Sequence, residues 1–152
     1  MVDHFSAGPD LEAPAIGDYA IIGDCRSAAL VSRAGSIDWL CWPRFDSPSV
    51  FGALLDQRRG GRFAVRPAGE FTSTRRYVGE TNVLETTFRT STGVVRLVDC
   101  MPVDSEENKR STLWASHQVL RVIECVAGAV EIEVICDPRP DYARRGSRLS
   151  DR

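Results

Sequence analysis

Short apolar runs separated by turn signals fill most of the chain, and their period is that of strands. Ala28-Ala29-Leu30-Val31 is apolar, and Ser32-Arg33-Ala34-Gly35-Ser36 is polar with a glycine available for a positive φ. Ile37-Asp38-Trp39-Leu40-Cys41-Trp42 then returns rich in β-branched and aromatic residues, which completes a β-hairpin pattern. Residues 62–66 read as a short strand closed by Pro67-Ala68-Gly69. Residues 70–78 alternate loosely, with Phe71, Ser73, Arg75 and Tyr77 on one face. Residues 82–91 and 94–101 are two strands joined at Thr92-Gly93, a second hairpin. Residues 119–126 and 130–136 make a third hairpin about Ala127-Gly128. In its second strand Val130, Ile132, Val134 and Cys136 face one way, and Glu131, Glu133 and Asp137 the other, with Ile135 the exception, so one face is largely wet. One stretch breaks the rhythm. Ser47 suits an N-cap and Pro48 the first helical position, and Val50, Phe51, Leu54 and Leu55 share a helical face, which predicts a short helix.

About eight to ten strands with turns at short intervals predict an all-β fold, an antiparallel β-sandwich with one short helix. The organised domain is expected over residues 16–138. Residues 1–15 read as a disordered leader. Residues 139–152 read as a basic, disordered tail, with Arg139, Arg144, Arg145, Arg148 and Arg152 and no strand pattern. A sandwich ending there is incomplete. It leaves an unpaired edge and part of an apolar face exposed, which predicts self-association through that edge or marginal stability.

The chain has 152 residues, enough for one domain with a sizeable core. A net charge of −2 gives no electrostatic reason to expect nucleic acid or an anionic membrane as partner. No apolar run approaches the ~18 residues of a membrane helix. The N-terminus carries acids and prolines where a signal peptide needs a basic start and an apolar core. Cys25, Cys41, Cys100, Cys125 and Cys136 are odd in number and form no Cys-x-x-Cys pair, so neither a disulfide framework nor a metal site is expected. Their apolar contexts read as buried, reduced thiols in a cytoplasmic protein. Gly60-Gly61 is turn material rather than a phosphate loop, and no cofactor is implied.

The candidate chemistry is sparse. Glu131 and Glu133 share a strand face at about 7 Å, within the roughly 6.5–9.5 Å of an inverting glycosidase pair. Exposed strands are full of such pairs, and a solvated face is the simpler reading. Asp24 and Asp46 sit beside Gly or before Ser-Pro, where Asx turns and caps are expected; Asp18, Asp24 and Asp38 read as structural, and Asp46 is left open. His4 and His117 are isolated. Trp42-Pro43-Arg44-Phe45-Asp46 is the best functional surface. Aromatic faces suit sugar C–H groups, and Arg44 and Asp46 suit hydroxyls. The competing reading makes Trp42 and Phe45 core anchors, with Arg44 in an ion pair to Asp46 or Asp38. Arg139, Asp141 and Tyr142 form a second, weaker set of the same kind.

Ile16-Gly17-Asp18-Tyr19, Ile22-Gly23-Asp24-Cys25-Arg26, Ala28-Ala29-Leu30-Val31, Gly35-Ser36-Ile37-Asp38-Trp39-Leu40-Cys41 and Pro43-Arg44-Phe45-Asp46-Ser47-Pro48 carry a resemblance. A weaker continuation runs through Tyr77, Asn82-Val83-Leu84-Glu85-Thr86, Asp99-Cys100-Met101-Pro102 and Asp137-Pro138-Arg139-Pro140-Asp141-Tyr142. Together they resemble the N-terminal domain of bacterial and archaeal glycoside hydrolase family 15, the glucoamylase and trehalase-like enzymes. The resemblance implies a non-catalytic β-sandwich packed beside an (α/α)6 barrel that holds both catalytic glutamates. It implies hydrolysis of α-glucosidic bonds in oligosaccharides or trehalose by the whole enzyme, and no catalytic residue here. Partners are then the barrel, in the same or a separate chain, and an α-glucoside. The 42–46 loop is expected at the barrel interface or substrate rim. The ending reads as a truncated or frame-shifted relative, or a fragment. The alternatives are a free-standing carbohydrate-binding or barrel-docking module, and a pseudogene product without function.

Overall fold

A computed structural model describes residues 5–7, 14–103 and 117–144. Among these, eleven strands form two antiparallel sheets. In chain order they are β1 Phe5–Ala7, β2 Tyr19–Gly23, β3 Ala28–Ser32, β4 Ser36–Cys41, β5 Ser49–Phe51, β6 Arg62–Pro67, β7 Phe71–Tyr77, β8 Leu84–Arg89, β9 Gly93–Cys100, β10 Leu120–Gly128 and β11 Ile132–Asp137. One sheet has the order β1-β7-β8-β9-β10. The other has the order β11-β6-β4-β3-β2, with β5 paired to β4 beside β6. The expected sandwich is present, and no described helix is long and apolar enough to cross a membrane.

The first hairpin forms where the sequence places it. Gly35 takes φ +71° at the turn between β3 and β4, a conformation that disfavours residues with a Cβ. The β8–β9 hairpin also forms, closed by Thr90, whose backbone N–H donates to the Gly93 carbonyl at 2.9 Å. Two expectations are corrected. The stretch after Ser47 is not a helix. Residues 49–51 pair with β4 as β5, because burial of Ser49 and Phe51 against that strand outweighs a weak capping signal. Among the described residues, helical turns lie instead at Ile16–Asp18, a 3-10 turn, and at Pro140–Ala143, with φ of 55°, 56° and 62° at Asp141, Tyr142 and Ala143. The third hairpin does not close on itself. β10 pairs with β9 in one sheet and β11 pairs with β6 in the other, so the chain changes sheet at residues 129–131. In the stretch read as leader, Phe5–Ala7 pairs with β7.

The core lies between the sheets. Ile22, Val31, Ile37, Leu40, Phe51, Leu84 and Met101 form one buried cluster. Val65, Phe71, Phe88, Val95 and Leu97 form a second, and Phe63 packs against both. Phe71 and Phe88 meet edge to face at 5.1 Å. Each fully buried large side chain contributes about 1.5–3 kcal/mol.

One buried ion pair ties the sheets together. Arg121 of β10 holds Asp99 of β9 at 2.8 Å, with both side chains almost fully buried. The same guanidinium donates to the Phe63 carbonyl at 2.5 Å and the Gly35 carbonyl at 2.7 Å, and lies 4.8 Å from the Phe63 ring centre. Each of its three nitrogens is thus engaged, by one carboxylate and two carbonyls, which favours tolerating a buried charge. A second network joins β2 to β4. The Tyr19 hydroxyl donates to Asp38 at 2.8 Å and Ser36 Oγ donates to the same carboxylate at 2.5 Å. Burial, and then the Asp38 charge, push the Tyr19 hydroxyl well above its ordinary range.

The cysteines differ from expectation. Cys41 is buried and Cys100 half-buried, whereas Cys25, Cys125 and Cys136 are exposed. Burial raises both the Cys41 and Cys100 thiols, and the Asp99 charge adds to the effect at Cys100. Cys125 and Cys136 do alternate inward as the pattern requires. They are exposed because each sits on an edge strand.

Candidate functional site

The 42–46 loop follows β4 and is drawn back against the β2–β3 turn. The Trp42–Pro43 peptide is cis. The Phe45 N–H donates to the Arg26 carbonyl at 2.9 Å, and the Trp42 N–H donates to the Pro48 carbonyl at 3.4 Å. In the turn, Asp24 accepts N–H bonds from Arg26 at 2.9 Å and Ser27 at 2.8 Å, an Asx turn that Ser27 reinforces by donating its hydroxyl to the Cys41 carbonyl. Cys25 takes φ +67° within it.

Between turn and loop lies a cavity of about 540 Å³ lined by Cys25, Arg26, Pro43, Arg44, Phe45, Asp46 and His117. Its volume is in the range of small-molecule sites. Phe45 presents its ring to solvent, 63% exposed. Arg44 and Asp46 form an exposed ion pair at 3.2 Å. His117 stands with Nδ1 3.5 Å from Asp24 Oδ2, outside hydrogen-bond geometry, and takes φ +66°. Its ring meets Trp42 edge to face at 6.1 Å. Trp42 is half-buried and packs on the core cluster. The arrangement places one apolar face, a guanidinium, a carboxylate and an imidazole around one open cavity.

The sequence-derived candidates therefore divide. Arg44, Phe45 and Asp46 line the cavity, and Trp42 supports it from behind. Arg139, Asp141 and Tyr142 do not line it. Arg139 pairs with Asp137 at 2.8 Å, and its N–H donates to the Val50 carbonyl at 2.9 Å. The Tyr142 N–H donates to Ser49 Oγ at 3.2 Å, and its ring lies 6.2 Å from Trp39. Asp141 sits in the left-handed turn. Three cavity residues were missed: Cys25, Arg26 and His117. The first two lie inside the signature stretch, but His117 lies far along the chain, and only the sheet topology brings it to the loop. His4 lies outside the described residues.

Asp18, Glu133 and Glu131 lie away from the cavity. Asp18 pairs with Arg33 at 2.9 Å, and Glu133 with Arg66 at 2.8 Å. Glu131 precedes β11 rather than lying in it, and its carbonyl accepts the Ala68 N–H at 3.0 Å. Among the described residues no group of three or more His, Cys, Asp or Glu side chains could hold a metal ion.

A two-sheet sandwich with the 42–46 loop and its turn is the class of domain that the sequence resemblance implies. Comparison with known proteins places it. Residues 8–152 match the family described as trehalase-like, N-terminal, and the chain belongs to that family. The match includes positions on both flanks read from sequence as leader and tail. The chain is 41% identical to the trehalase of Mycolicibacterium smegmatis over 153 residues, covering 92% of this chain and 23% of that protein. It is 41% identical to the trehalase of Mycobacterium tuberculosis over 145 residues, covering 88% of this chain and 21% of that one. It is 49% identical to trehalase 1 of Sulfolobus acidocaldarius over 83 residues, covering 54% and 14%. The chain thus spans less than a quarter of the length of these relatives. No solved structure matches it.

Proposed function

We propose that this chain acts as the non-catalytic N-terminal domain of a glycoside hydrolase of the trehalase and glucoamylase kind, which hydrolyses α-glucosidic bonds. Hydrolysis by inversion needs one carboxylic acid on the leaving oxygen and one carboxylate on the attacking water. In this reading a separate helical barrel supplies both. The domain braces that barrel, and the 42–46 loop closes one side of its substrate cleft. The working compartment is the cytoplasm.

The observation that carries the reading is the alignment itself. Nearly the whole chain aligns with less than a quarter of each mycobacterial trehalase. The cavity supports the role given to the loop, because Phe45, Arg44 and Asp46 are held together and exposed without being needed for the core. The test is to replace the matching stretch of the Mycolicibacterium trehalase with this chain. In that fusion Phe45→Ala and Arg44→Ala should raise KM for trehalose about three- to tenfold, with kcat changed less. This is the signature of lost binding shared by ground and transition states. Unchanged kinetics would remove the loop from the rim.

A second reading rests on the same cavity: a carbohydrate-binding module that holds an α-glucoside by itself. Saturation-transfer NMR with trehalose and maltose on the isolated chain tests it. Transfer that disappears in Phe45→Ala favours the module, and no transfer from either sugar discards it.

A further inference from the structure

We propose that Tyr77 and Asn82, carried by one sheet, are positioning residues for the 42–46 loop, which is carried by the other. β2 is the last strand of its sheet, and β3 pairs with one side of it. On the other side the backbone of Ile21 is met by a side chain. The Tyr77 hydroxyl accepts the Ile21 N–H at 3.0 Å and donates to the Ile21 carbonyl at 2.9 Å. Two residues on, Asn82 Nδ2 donates to the Gly23 carbonyl at 2.7 Å. A phenol and a carboxamide thus stand where a neighbouring strand would, and supply the donors and acceptor that a strand would supply. Both sit at the β7–β8 connection, which holds its own shape. There the Val78 N–H donates to the Val83 carbonyl at 2.9 Å, and the Val83 N–H donates to Thr81 Oγ1 at 3.2 Å.

The place of the Asn82 bond decides what it controls. The Gly23 carbonyl and the Asp24 N–H belong to one planar peptide unit, so fixing one fixes the other. The Asp24 N–H donates to the Ser27 carbonyl at 3.2 Å and opens the turn beside the cavity. The turn closes tightly on this unit: a Cβ at Gly23 would stand 2.9 Å from the Ser27 carbonyl oxygen. Within the turn Asp24 Oδ1 accepts the Arg26 and Ser27 N–H groups, and the Arg26 carbonyl accepts the Phe45 N–H at 2.9 Å. A continuous path of peptide planes and hydrogen bonds therefore runs from Asn82 to the backbone of Phe45, and Tyr77 fixes the strand that leads into it. The consequence for substrate binding rests on the rim reading of the loop. The positioning itself does not.

Hydrogen exchange by NMR on the whole chain tests the positioning. Tyr77→Phe removes both bonds to Ile21 and keeps the ring. Asn82→Asp keeps the shape and puts an acceptor against the Gly23 carbonyl. Each should speed exchange of the Phe45 amide about three- to tenfold, the scale of one hydrogen bond. The amides of Phe88 and Val95 in the core should keep their wild-type rates. Arg76→Ala, which cuts the neighbouring ion pair with Glu85, should change neither. An unchanged Phe45 amide in both folded variants overturns the proposal. Equal acceleration of Phe45 and the core amides also overturns it, because that marks a clamp on the whole fold rather than on the loop.

Kinetics of the fusion with the Mycolicibacterium trehalase tests the rim reading separately. Asn82→Asp should raise KM for trehalose, and should add little to the effect of Phe45→Ala in the double variant, because both act through the same loop. A faster Phe45 amide with an unchanged KM upholds the positioning and removes the loop from the rim. A KM effect that adds fully to that of Phe45→Ala overturns the positioning through Phe45.

Discussion

At Arg121 a single side chain bridges the two sheets. Its guanidinium neutralises Asp99 and satisfies carbonyls from the β3–β4 turn and from β6. Arg121→Met leaves a buried carboxylate without its partner and should cost about 3–5 kcal/mol. Adding Asp99→Leu should recover much of that loss, because an apolar pair of similar size is tolerated. Urea denaturation of the wild type and both variants measures it. Tyr19 makes a different statement. Its hydroxyl titrates above the ordinary value of about 10, because burial and Asp38 disfavour the phenolate. The unfolded chain releases this proton near pH 10 and the folded chain only at higher pH. The stability held in that difference is intact below pH 10 and falls as pH rises past it. Stability of Tyr19→Phe should fall less steeply between pH 9 and about 11 than that of the wild type, as chemical denaturation across that range would show. Neither role is legible in the sequence. Only pairing with β9 places Arg121 opposite Asp99.

The elements that were legible are those whose information is local. The β3–β4 hairpin has its apolar strands, its polar turn and a glycine at the one position that needs positive φ. A Cβ at Gly35 would stand 2.5 Å from the Val65 carbonyl oxygen. Gly35→Ala should therefore destabilise by more than the roughly 1–3 kcal/mol of the strained backbone alone, read as a lowered melting temperature. Elements governed by distant partners were misread. β10 and β11 look like a hairpin because Ala127-Gly128 resembles a turn, yet β9 and β6 hold them in opposite sheets. The segment from Ser47 carries helix signals, yet β4 makes residues 49–51 a strand. The candidate loop was legible as far as chemistry goes, since Arg44, Phe45 and Asp46 are adjacent in sequence. Its cavity was not, because His117 and the Asp24 turn reach it through tertiary structure.

At the scale of the molecule, one end remains functionally open. The cavity beside the 42–46 loop offers an apolar ring and hydrogen-bonding groups. The proposed supporting role rests on an alignment with less than a quarter of each mycobacterial trehalase. The most direct measurement is trehalose hydrolysis by three preparations: this chain alone, the Mycolicibacterium trehalase lacking its matching N-terminal stretch, and that truncated enzyme fused to this chain. The account predicts no hydrolysis by the chain, little by the truncated enzyme, and recovery of about tenfold or more in the fusion, equivalent to at least 1.4 kcal/mol of regained barrier lowering. Hydrolysis by the chain alone, or a fusion no better than the truncated enzyme, would contradict it.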